Sequence, residues 1–153
     1  MMELAYPNLI VKKVSIAYAP GSSHLPGARH TLQVAVVVKN TGTGDARACL
    51  LAAVFMRASV PGNPTLAAAV SLPAVQTGSE VETTFEAEIV QDGLLTVTAD
   101  APTDAYPFGQ VREGPADRWP DRTPGEWNNT FAVPLYQAGL MTGSLSFANR
   151  AAD

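Results

Sequence analysis

Six carboxylates fall close together in the second half of the chain: Asp100, Asp104, Glu113, Asp117, Asp121 and Glu126. Hard oxygen ligands at that density are what a calcium ion takes. Their spacing matches no EF-hand loop, and Arg112, Arg118 and Arg122 are interleaved with them, so solvated ion pairs compete for the same oxygens. The expectation is no resident metal or cofactor, with calcium as the one ion the residue types admit. Nucleophilic chemistry has less to work with. Cys49 is the single cysteine and sits in an apolar run, the setting of a small core residue, and it excludes an intrachain disulfide. His24 and His30 belong to no H-E-x-x-H pattern. There is no G-x-S-x-G, and Gly42-Thr43-Gly44 follows a strand-like run without opening a helix. The residues therefore read as a protein that is not an enzyme.

Recognition is better supplied. From Pro102 to Trp127, prolines and glycines mix with charges and with aromatic residues that recur without a period. Trp, Tyr and Arg carry much of the energy of interfaces, and loops vary without disturbing a core. Tyr106, Phe108, Arg112, Arg118, Trp119, Arg122 and Trp127 are accordingly the candidate partner-binding residues. Trp119 and Trp127 have a second role open to them, plugging the end of the core. Leu140, Met141, Leu145 and Phe147 lie in the tail from Gln137 to Asp153, which either packs as an extra strand or forms an arm that orders on a neighbour. Asn40, Gly42, Gly44, Asn128 and Asn129 are expected to shape loops, because Asn side chains cap backbone groups and Gly tolerates positive φ. Asn128-Asn129-Thr130 also spells a glycosylation acceptor, read here as incidental.

The elements that must position these groups are strands. Leu32, Val34, Val36 and Val38 alternate with polar residues and run into Asn40-Thr41-Gly42-Thr43-Gly44-Asp45, a tight connection. Before it, Leu9 and Val11 share one parity and Val14, Ile16 and Tyr18 the other, which predicts a bulge at Lys12-Lys13 where the strand crosses between sheets. Ala48 to Met56 is apolar at every position; its Ala and Leu content leaves a helix as the competing reading, and as a strand it is expected to have both faces covered, with another subunit one candidate for the second. Leu66, Ala68, Val70 and Leu72 resume a period of two. Val81, Thr83, Phe85, Ala87 and Ile89 oppose Glu80, Glu82, Thr84, Glu86 and Glu88, and Asp92-Gly93 then predicts a hairpin to the strand with Leu95, Val97 and Ala99. Phe131, Val133 and Leu135 make a last strand, held to a sheet edge by Pro134.

Seven such strands and no amphipathic helix define an all-β, immunoglobulin-like antiparallel sandwich over residues 1–136, with a long loop at 102–127 and a tail at 137–153. At 153 residues, 46% hydrophobic and 16% charged, one domain can bury a core without disulfides. A formal charge of −4 with few, dispersed Lys and Arg argues against nucleic acid as a partner. No apolar run approaches the roughly 20 residues that span a bilayer, and MMELAYPNL is not read as a secretion signal.

In order and spacing, PNLIVKKVSI (Pro7 to Ile16), VVVKNTGTGDA (Val36 to Ala46), SLPAVQTGSEVETTF (Ser71 to Phe85), LLTVTAD (Leu94 to Asp100), VRE (Val111 to Glu113) and EWNNT (Glu126 to Thr130) carry a resemblance. Across residues 7–136 the chain resembles the bacterial cell-adhesion-related, CARDB-type family of Ig-like domains. The resemblance implies a noncatalytic module of surface, adhesion and assembly proteins, usually repeated in longer exported chains. This chain departs from it in being a single copy, in lacking a recognised signal and in inserting Gly114 to Gly125. Those departures favour a phage virion protein, for capsid decoration or at the tail, which reaches the outside by lysis. The partner expected is protein, by self-association or in a larger assembly. The alternative is an adhesion module at the cell surface that binds glycan or protein.

Overall fold

The computed structural model describes residues 7–19, 30–57, 65–89, 92–100, 130–136 and 144–149. These form eight strands: β1 (Leu9–Tyr18), β2 (His30–Asn40), β3 (Cys49–Arg57), β4 (Thr65–Leu72), β5 (Glu80–Ile89), β6 (Gly93–Ala99), β7 (Thr130–Leu135) and β8 (Ser144–Ala148). They are arranged as two antiparallel four-stranded sheets, in the orders β5-β2-β1-β8 and β4-β3-β6-β7. The protein is thus an all-β, Ig-like sandwich.

Period-two alternation explains the core. Val14 and Ile16 from β1 and Leu32, Val34, Val36 and Val38 from β2 are buried from one side. Leu51, Ala53, Phe55, Leu95, Val97, Val133 and Leu135 are buried from the other. Both strands of each hairpin-like pair present their apolar row to the same interior, as a sandwich requires.

Four sequence expectations meet their outcome on this framework. The bulge in β1 is present, with the register shifting between Val11 and Lys13. However, β1 pairs with β2 along its whole length, from Leu9↔Asn40 to Tyr18↔Leu32, and does not cross between sheets. The bulge restores phase within one sheet, so that Leu9, Val11, Val14 and Ile16 are all buried. Second, β5 and β6 are not a hairpin. β5 pairs with β2, while β6 pairs with β3 and β7, so the connection through Asp92 passes from one sheet to the other. Third, Leu66 does not share a face with Ala68. Ala53 pairs with Ala68 but Val54 with Leu66, leaving Ala67 as an extra residue and turning Leu66 outwards, 63% exposed.

Fourth, of the two fates left open for the tail, the extra strand is the one seen for residues 144–148. β8 pairs with β1 from Lys13↔Ala148 to Ala17↔Ser144 and completes the first sheet as an eighth strand. Leu145 is buried, and Phe147 packs against the core. Leu145 thus serves its own sandwich, and Phe147 packs on it while staying half-buried. Pro134 does lie on an edge strand, since β7 pairs only with β6.

Gly93 is required by close approach. A Cβ there would meet the Met56 carbonyl oxygen at 2.2 Å and the Phe55 ring at 2.7 Å. The neighbour is backbone and a buried ring, so neither can yield cheaply. Gly93→Ala is expected to lower stability by about 1–3 kcal/mol through overpacking. Urea unfolding followed by circular dichroism measures this, with Thr84→Ala on an exposed position expected to stay within about 0.5 kcal/mol of the parent.

Candidate functional site

Asn40 closes β2 and is fully buried. A buried amide is tolerated only when its donors and acceptors are matched, and here all of them are. Its Oδ1 accepts from the backbone N–H of Asn8 and of Gly42, both at 3.0 Å. Its Nδ2 donates to the Gly44 carbonyl at 2.8 Å and the Val75 carbonyl at 3.0 Å. Its backbone adds two more bonds, donating to Ser79 O at 3.0 Å and accepting from Gly78 N at 2.9 Å. One side chain thereby joins the entry to β1, the end of β2, the loop that follows and the link between β4 and β5.

Neighbouring contacts reinforce the joint. Ala46 and Val75 exchange backbone bonds of 2.9 and 3.0 Å, Asp45 Oδ1 accepts from Thr77 N at 2.9 Å, and the Thr77 hydroxyl donates to the Gly42 carbonyl. Gly78, at φ 77°, makes the turn that aims its N–H back at Asn40. Asn40, Gly42 and Gly44 thus lie together in a satisfied backbone-bonding network. Asn128 and Asn129 lie outside the described residues.

The two outer sheet faces differ in chemistry. On the first sheet, β5 presents Glu80, Glu82, Glu86 and Glu88, all exposed, beside Gln33 and Lys39 of β2. A trough of about 250 Å³ crosses this face, lined by Ser15, Ala17, Gln33, Ala35, Glu82, Thr84 and Ser144 among others. Lys12, the bulge residue, forms an ion pair with Glu80. Hydrogen bonding from Lys12, and the positive charges of Lys12 and Lys39, hold the Glu80 carboxyl below its ordinary range against a smaller opposing effect of desolvation.

The second sheet turns out Leu66, Ala69 and Ser71 from β4, and Leu50, Ala52, Val54 and Met56 from β3. β6 adds Leu94, Thr96 and Thr98, and β7 adds Thr130, Ala132 and Pro134. Among the described residues, no outward strand position of this sheet carries a charge. Leu66 and Tyr136, the large hydrophobic side chains exposed at 63% and 41%, stand at its two edges, on β4 and just past β7. The outward residues of β3 are half-buried within the single chain. Sequence reading singled out the β3 run but missed Leu66, Leu94 and Tyr136. Their alternation was visible; the β4 bulge and the pairing of β6 with β3 were not.

Tyr106, Phe108, Arg112, Arg118, Trp119, Arg122, Trp127, Leu140 and Met141 lie outside the described residues. Of the six carboxylates considered for calcium, Asp100 is the described one; it follows β6, buried and at φ 54°. Cys49 is buried at the start of β3. His30 opens β2, and His24 lies outside the described residues. Among the described residues, no group of three or more His, Cys, Asp and Glu is placed to hold a metal ion, and no helix is long and apolar enough to cross a membrane.

No protein-family model matches the chain, and no curated protein matches it. Solved structures similar to it include a Bordetella pertussis chain described as ApaA, with TM-score 0.45 and 13% identity, covering 97% of this chain and 98% of that one. β-Glucosidase 3B from Thermotoga neapolitana is similar with TM-score 0.45 and 12% identity over 97% of this chain. A saponin-metabolising β-glucosidase from intestinal bacteria is similar with TM-score 0.42 and 16% identity over 63% of this chain. The chain spans only 18% and 15% of those two enzymes, so the likeness is to a small part of each.

Two measurements check this geometry. Asn40→Ala removes partners from two N–H and two carbonyl groups, and Asn40→Asp turns two donors into acceptors facing carbonyl oxygens. Each is expected to cost about 2–4 kcal/mol in chemical denaturation, against less than about 0.5 kcal/mol for Thr43→Ala. The Glu80 pair has a definite sign with pH. Its folded carboxyl titrates lower than the unfolded one, so its stabilising effect is present above the unfolded value and is lost as pH falls through the folded value. Glu80→Gln should therefore unfold slightly more easily than the parent at neutral pH, and the gap should close on acidification.

Proposed function

We propose that the protein is a nonenzymatic Ig-like subunit of a surface assembly, with a phage virion, as capsid decoration or a tail-associated part, the preferred setting. The observation that carries this reading is the uncharged outer face of the second sheet. An uncharged face edged by exposed apolar side chains suits contact with another protein, and Leu66 and Tyr136 stand at the two edges of this one. The CARDB-type resemblance supports a structural or binding role, and the fold alone supports no particular one. The trough on the first sheet favours a second reading, an adhesion module in which Gln33, Glu82, Thr84 and nearby serines hydrogen-bond a glycan. It lacks, among its lining residues, the aromatic ring on which sugars stack, and so ranks second.

Density-gradient fractionation of lysed cells that carry the gene, probed with an antibody to the chain, tests the leading reading. The protein is expected in the particle fractions at a fixed ratio to the major particle protein. Recovery wholly at the top of the gradient, with free protein, would overturn it.

A further inference from the structure

We infer that β8 is an exchangeable strand: the slot along β1 that it fills in its own chain is a binding site for residues 144–149 of a second copy. This rests on the reading of the chain as an assembly subunit. The occupant is the segment already seated there, so the fit of slot to strand is observed. Leu145 is buried and Phe147 packs against the core. Ser144, Ser146 and Ala148 are exposed, small and uncharged, and the Ser146 hydroxyl lies 3.4 Å from that of Ser15 on β1.

A latch ends the strand. Asn149 donates from its backbone N–H to the Lys12 carbonyl at 2.7 Å, and from Nδ2 to the Val11 carbonyl at 2.9 Å. Both carbonyls belong to the β1 bulge, where the register against β2 shifts between Val11 and Lys13. A strand slid by one residue would turn Leu145 and Phe147 outwards. One slid by two would lose the Asn149 bonds at the bulge. The slot therefore selects register as well as composition.

Little else ties β8 to its own chain. Among the described strands it pairs with β1 alone, from Lys13↔Ala148 to Ala17↔Ser144, and it follows β7, which lies in the other sheet, so its departure breaks no hairpin. The remaining strands keep their ladders and the Asn40 joint without it. A short edge strand with few buried side chains is the part of a fold that opens first. Exchange of an identical element between copies then remakes in the slot every contact that opening breaks. The closed chain competes through its own tether, so exchange is favoured where an assembly concentrates the copies.

Disulfide trapping in the full chain tests this, because the approach of Ser15 to Ser146 suits a bridge between two cysteines. Full chains carrying Ser15→Cys are mixed with full chains carrying Ser146→Cys at about millimolar concentration, comparable to that of a short tether, and oxidised; buried Cys49 is left in place. A dimer bridged between positions 15 and 146 is expected, at least about tenfold more abundant than the bridge formed when Thr84→Cys, two strands away from β1, replaces Ser15→Cys. Circular dichroism establishes that each variant is folded, and Asn149→Ala should speed the bridging. Hydrogen exchange of the unmodified chain needs no variant. The Asn149 amide faces β1, those of Leu145 and Phe147 share its parity, and all three should exchange at least about a hundredfold faster than Val36. No bridge between copies, or β8 amides that exchange only as slowly as Val36, would overturn the inference. Protein that enters particle fractions without bridging would refute exchange while leaving the assembly reading intact; bridging by protein absent from particles would do the reverse.

Discussion

A buried primary amide is an unforgiving part of a β-sandwich, because each unmatched donor or acceptor costs about as much as a hydrogen bond contributes several times over. Asn40 meets that constraint with four side-chain bonds, and they reach elements that the strand ladders leave unconnected. The ladders hold each sheet together, and apolar burial holds the two sheets face to face. Neither specifies where the chain leaves β2 for the opposite sheet. The Asn40 joint does so by tying the crossing loop to the entry of β1 and to the link between β4 and β5, so the relative placement of the sheets depends on it.

With the interior settled in this way, the two outer faces are free to differ. One is acidic and carries the Lys12–Glu80 pair and a polar trough; the other is uncharged and carries exposed Leu66 and Tyr136. The asymmetry is the feature from which the proposed assembly role is built. Edge strands are unequal as well. β5 carries glutamates and β7 carries Pro134, both of which discourage added strands.

Much of this architecture is legible in the residues. Alternation from Leu32 to Val38 and from Val81 to Ala87 marks strands with one buried row, and the parity break at Lys12-Lys13 marks a bulge. What alternation does not carry is partnership. Asp92-Gly93 has the composition of a hairpin turn, yet β5 already has its partner in β2, and tertiary pairing outweighs local turn chemistry. Leu66 has the right parity for the core, but one extra residue at Ala67 reverses it. The short SLSFA run is weak by itself and becomes a strand because β1 offers it an edge. Asn40 shows the same division: the run from Asn40 through Gly42 and Gly44 to Asp45 signals a loop, whereas burial and the bond to Val75, far along the chain, belong to the fold.

Native-state hydrogen exchange at the Gly42 amide tests most directly whether Asn40 is the joint on which the sandwich depends. Gly42 lies in a loop between exposed Thr41 and Thr43, where an amide ordinarily exchanges by local opening. Its bond to Asn40 predicts exchange only through global unfolding, with the same free energy as Val36 in the centre of β2. Exchange at a much lower free energy, with Val36 still fully protected, would show that the loop opens without the sandwich and would contradict the account.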